Sequence, residues 1–95
     1  MTYDWVSVSS DQAVSNSPCW LGCVVVTPED NDDYADVTLY DGESGDDPKL
    51  MKIRSGLGTT RVIRFQPPLK TQRGLYVDIG SDVDSVLIQV ARGKE

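Results

Sequence analysis

Short runs of alternating apolar and polar residues, each closed by a cluster of Gly, Pro, Asn, Asp or Ser, recur along this whole chain. That rhythm constrains the fold most strongly, because a period of two lines one face of a strand with apolar side chains. The run YDWVSVS (3–9) sets Tyr3, Trp5 and Ser7 against Asp4, Val6 and Val8. YADVTLYD (34–41) puts Ala35, Val37 and Leu39 on one face, LYVDIG (75–80) does so with Leu75, Val77 and Ile79, and SVLIQVAR (85–92) with Val86, Ile88 and Val90. TRVIRFQ (60–66) opposes Ile63 and Phe65 to Val62 and Arg64, and KLMKIRS (49–55) is a shorter, ambiguous run. CWLGCVVVT (19–27) is almost continuously apolar, the pattern of a central strand covered on both faces.

The residue choice agrees with the rhythm. Twelve Val, four Ile and six Thr are stiff at χ1 and suit pleated strands, against only three Ala. No stretch carries a helical repeat. The segments between runs (SNSP, PEDNDD, DGESGDDP, SGLGT, QPPLKTQRG, GSDVD) are turn sequences. The expected fold is all-β: an antiparallel β-sandwich, jelly-roll-like, with seven or eight strands. The pair Pro67–Pro68 must lie outside a central ladder, since proline donates no hydrogen bond.

Ninety-five residues make one domain. A chain of this length buries only roughly 60–68% of its unfolded surface, so an assembly would add useful stability. No apolar run approaches the length of a membrane span. The N-terminus lacks a basic n-region and a long apolar stretch, so synthesis in a cytosol and no membrane partner are expected.

Charge is divided along the chain. Residues 1–48 hold eleven acids and no base; residues 49–95 hold all nine bases and four acids, so the halves carry −11 and +5 and sum to −6. Two readings follow. Acidic and basic surfaces meet between neighbouring molecules, or strands of the two halves interleave and the charges pair within one sandwich.

The CWLGC segment (19–23) looks like a redox or metal motif but lacks the means. On a strand Cys19 and Cys23 stand roughly 13 Å apart, whereas a disulfide needs Cα atoms within about 7 Å. Zinc needs about four ligands, and the chain has no histidine and no third cysteine. Reduced structural thiols are expected. The acidic loop holding Glu29, Asp30, Asn31, Asp32 and Asp33 lacks the glycine and the distal glutamate of a calcium loop. The acidic segment 41–47 lies a whole strand away, at the other end of the sandwich. Both read as solvated faces.

Catalysis finds little to build on. Without histidine no imidazole-based triad exists, and GLGTT (56–60) lacks the lysine of a phosphate loop. No enzyme activity and no cofactor are expected. The net charge argues against a nucleic-acid partner. A local basic set, Arg61, Arg64, Lys70 and Arg73, suits an acidic protein neighbour. The aromatic residues Trp5, Trp20, Tyr34, Tyr40 and Tyr76 keep open a carbohydrate-binding β-sandwich, in which exposed rings stack on sugars.

One longer pattern stands out. Val37–Gly42 ends a strand in V-x-L-x-D-G and a short loop leads to Lys49; Phe65–Leu69 forms an F-x-P-P-L corner, Gly74–Val77 a G-L-Y-V strand and Val86–Val90 a valine-rich close. Over residues 34–92 this resembles small virion β-sandwich proteins of tailed bacteriophages, of the head decoration, cement or head-fibre type. The resemblance implies a non-enzymatic structural protein of the virion, assembled in the host cytoplasm. It would be a capsid decoration protein bridging coat subunits, or else a head-fibre, tail or adaptor component. It implies partners among virion proteins, the major capsid protein first, and a homo-oligomer, a trimer in such proteins.

Residues 1–18 have no counterpart in that pattern. They are expected to be a strand or arm packed on the domain 19–95 or on a neighbour, with Tyr3 and Trp5 among the contacts through strand addition. Such an arm would be needed for binding and dispensable for folding.

Overall fold

The computed structural model describes residues 2–32 and 34–92. Among them lie eight strands: β1 (Asp4–Val8), β2 (Gln12–Ser15), β3 (Cys19–Pro28), β4 (Asp36–Tyr40), β5 (Lys49–Arg54), β6 (Arg61–Lys70), β7 (Leu75–Ile79) and β8 (Val83–Arg92). They form two four-stranded antiparallel sheets, ordered β1-β8-β3-β6 (sheet A) and β2-β7-β4-β5 (sheet B). The fold is an all-β sandwich. Within it the first strand pairs with the eighth, the second with the seventh, the third with the sixth and the fourth with the fifth.

The alternation read from the sequence places the core. Val37 and Leu39 of β4 and Leu75 and Val77 of β7 are fully buried in one cluster, with Val8, Leu21, Val24, Val26 and, on β8, Val86, Ile88 and Val90 facing them from sheet A. Their partners in sequence point outwards. Strand β2 has no apolar period to announce it: QAVS forms a strand because it pairs with β7, Gln12 opposite Val77 and Ser15 opposite Leu75.

Three expectations need refinement. Strand β3 is interior to its sheet, but only one of its faces meets the core; Trp20, Gly22, Val25 and Thr27 are half-buried on the outer side. Strand β6 continues to Lys70 with both prolines inside its span, which the ladder tolerates because β6 is an edge strand. Residues 4–8 and 12–15 are strands of the two sheets, and Val8 is fully buried.

The winding alternates strands of the acidic and basic halves within each sheet, yet the charges do not cancel locally. Among the described residues the ion pairs are Arg54–Asp36 at 3.0 Å and Arg73–Asp47 at 3.3 Å. The basic residues Lys49, Lys52, Arg61, Arg64 and Lys70 lie on β5 and β6, which border the same side of the sandwich. The two acidic loops sit at opposite ends of β4; Asp33 lies outside the described residues.

Candidate functional site

A groove lies on the outer face of sheet A. Between the pairs Leu21–Leu69 and Cys23–Arg64, β3 contributes one residue, Gly22, and β6 contributes four, Phe65 to Pro68. The surplus cannot stay in the ladder, and two of the four residues have no N–H to offer it. The segment therefore buckles outward and forms one wall of a groove of about 550 Å3. Tyr3 forms the opposite wall, and Gly22 and Gln89 form the floor.

Gly22 leaves that floor open. A Cβ on residue 22 would stand 2.8 Å from Oε1 of Gln89 and 3.2 Å from the Tyr3 ring, so a side chain there would displace both. The groove's polar groups are the guanidinium of Arg64 and the amides of Gln66 and Gln89. Among the described residues no carboxylate lines it.

Register places the surroundings. Trp5, Gln89, Cys23 and Arg64 are successive partners across the four strands, and so are Ser7, Leu87, Val25 and Val62 in the neighbouring row. Trp5 is 53% exposed, Val62 48% and Leu87 38%. An apolar row thus crosses the outer face beside a row that ends in an indole on β1 and a guanidinium on β6.

The outer face of sheet B is different, because its side chains satisfy one another. Tyr40 and Tyr76 pack with centroids 6.2 Å apart at a tilt of 55°. Arg54 bonds Asp36 and lies 5.4 Å from the centre of the Tyr34 ring. The Asp36 carboxylate beside Arg54 raises the guanidinium pKa further above its ordinary value. Burial, with the nearby Asp11 and Asp78 carboxylates, pushes the Tyr76 hydroxyl above the usual tyrosine range.

Three of the six contact candidates come together. Tyr3 and Arg64 line the groove and Trp5 stands beside it on the same face. Arg61 sits one row beyond the apolar row on β6, Lys70 lies 4.9 Å from the centre of the Trp20 ring, and Arg73 is held by Asp47 in the β6–β7 turn. Among the five aromatics suited to sugar stacking, Trp20, Tyr34, Tyr40 and Tyr76 are thus engaged, and Trp5 is open. Gly22, Gln66 and Gln89 escaped the sequence reading. A glycine inside an apolar strand and a Pro-Pro pair at the end of another were the available signs of a bulge.

Cys19 and Cys23 are free thiols on opposite faces of β3. Cys19 belongs to the core, where the Thr71 hydroxyl lies 3.4 Å from its sulfur and accepts its backbone N–H at 3.1 Å. Cys23 lies between Gln89 and Arg64 on the outer side and is buried beneath its neighbours. Among the described residues no three carboxylates or thiols converge on a metal position. Nor is any helix there long and apolar enough to cross a membrane.

No family model matches this chain, and comparison with curated proteins and with solved structures finds no match.

Proposed function

We propose that this chain is a non-enzymatic structural protein of a phage virion, a capsid decoration or cement protein that binds between coat subunits. The resemblance over residues 34–92 supports the virion assignment. One structural observation supports docking: Lys49, Lys52, Arg61 and Arg64 project from β5 and β6 with no carboxylate partner among the described residues, on a protein of net charge −6. Cations left unpaired in so acidic a chain suit an acidic surface on a neighbour, where they orient the encounter and fix its register. The partner in this reading is the major capsid protein or another virion protein, and the location is the virion, assembled in the host cytoplasm.

Immunogold labelling of virions of the encoding phage tests the proposal. Regular label over the heads is expected. Label confined to tails would move the protein to the tail or adaptor class, and particles without label would overturn the virion reading.

The groove favours a second reading, a carbohydrate-binding module. Tyr3 offers a ring and Arg64, Gln66 and Gln89 offer hydrogen-bonding groups along one open cleft. A shift of tryptophan fluorescence on a glycan panel, abolished by Tyr3→Ala, is its expected signature.

A further inference from the structure

We propose that the outer face of sheet A docks against the same face of a second copy of this chain, about a two-fold axis that runs parallel to the strands between β8 and β3. The proposal goes beyond the virion reading and does not depend on it.

Three observations select this partner and this axis. The first is the apolar row. Leu87, Val25 and Val62 lie side by side across three strands, with Trp5 in the next row; Leu87, Val62 and Trp5 are exposed and Val25 is half-buried among them. In contrast, Tyr40, Tyr76 and Arg54 on sheet B are partnered within the chain.

The second is charge. On the outer face the β6 edge carries Arg64 and Lys70, and the β1 edge carries Trp5 and Ser7 and no base. Two sheets packed face to face can be related by an axis along the strands or across them. An axis across the strands lays β6 on β6 and stacks like charges. An axis along the strands lays β1 of each copy over β6 of the other, so that the basic edge meets the uncharged, aromatic edge twice.

The third is register. Rotation about the strand-parallel axis returns each row upon itself in reverse order. Trp5 of one copy then faces Arg64 of the other, a guanidinium over an indole. Leu87 faces Val25 and Val62 faces Ser7, which brings the apolar row into a central contact. Arg64, which has no carboxylate partner among the described residues, gains an aromatic one.

The size of the face suffices for a reversible dimer. Strands β3, β6 and β8 have ten residues each. At about 3.3 Å per residue and about 4.8 Å between strands, and with β1 only five residues long, the face covers roughly 550 Å2 per copy. The total of roughly 1,100 Å2 falls just below the range of specific, stable interfaces, the size of a weak, reversible pairing. The pairing is a dimer, where the resemblance implies a trimer.

Sedimentation of the purified full chain, without capsids, tests this at micromolar protein and at low and high salt. A dimer is expected, weaker at high salt. Leu87→Arg, a change at an exposed position, is expected to give a monomer with an unchanged circular-dichroism spectrum. Arg64→Glu is expected to weaken the dimer by about tenfold or more. Should Leu87→Arg fail to fold, Val62→Lys on the edge strand carries the same expectation. A dimer or trimer that survives these substitutions would place the interface elsewhere and overturn the proposal. So would a chain monomeric at all concentrations, including one whose tryptophan fluorescence responds to a saccharide, which would assign the face to a glycan. Since no capsid is present, each outcome is independent of the labelling of virions.

Discussion

The Asp41 carboxylate, at the end of β4, accepts the backbone N–H of Arg73 at 2.8 Å, joining two turns that lie 32 residues apart in the chain. The same carboxylate takes the N–H of Gln72 at 3.0 Å and that of Gly74 at 3.4 Å. One side chain thus holds the whole β6–β7 turn, and Asp41 is only 9% exposed. Burial raises its pKa; the hydrogen bonds from Arg73, Gln72 and Gly74, with the Arg73 charge, outweigh burial and leave it below the ordinary aspartate value. A carboxyl group depressed on folding adds stability that is fully present above its unfolded pKa of about 4 and is lost as the pH falls through the lower folded value. Asp41→Ala is expected to cost about 2 kcal/mol near neutral pH, because three N–H groups lose a charged acceptor. Chemical denaturation of both proteins down the acid range should show the difference shrinking below about pH 4.

Leu87 and Ile88 are neighbours in sequence on opposite faces of β8. Ile88 is fully buried and Leu87 is 38% exposed. Ile88→Ala is expected to cost about 3 kcal/mol through lost burial and a residual cavity. For Leu87→Ala the expected cost to the isolated domain is within about 0.5 kcal/mol. Urea denaturation of the two variants at low protein concentration separates them, and equal costs would refute the assigned register.

Both cysteines are free and buried. Ellman's reagent in denaturant without reductant should count two thiols, and the native protein should react slowly, since Cys19 is 0% and Cys23 5% exposed. Thr71→Val removes the hydroxyl that accepts the Cys19 N–H in a fully buried position. The expected cost is about 1–3 kcal/mol, measured by thermal melting, with the thiol count unchanged.

Residues 2–10 include all of β1. Their deletion removes five ladder pairs with β8 and the buried Val8, and leaves β8 as a new open edge. Loss of the cooperative melt and aggregation are expected. A sharp, unchanged melt would restore the sequence reading of this segment as an arm that folding does not require.

Much of the architecture is legible from local pattern. Val37 and Leu39, Val77 and Ile79, and Val86, Ile88 and Val90 alternate with polar residues, and alternation translates directly into sides of a strand. Strand β2 was not legible, since Gln12–Ser15 becomes a strand only by meeting β7. The site was half legible. Tyr3, Trp5 and Arg64 stood out by residue type, whereas Gly22, Gln66 and Gln89 acquire meaning only where the β6 bulge lies against β3.

The sequence by itself determined the class: β-branched residues at a period of two, broken by turn residues, cannot build anything but strands with one apolar face, and the absence of histidine is a fact of composition. Tertiary structure alone decided which residues share a row. Leu87 and Val25, 62 positions apart, become neighbours, and Trp5 and Arg64, 59 apart, become the two ends of one row, because the fold sets β1, β8, β3 and β6 side by side. Strand neighbours and register are relations between distant segments, fixed by burial of both sheets at once, and no local pattern encodes them.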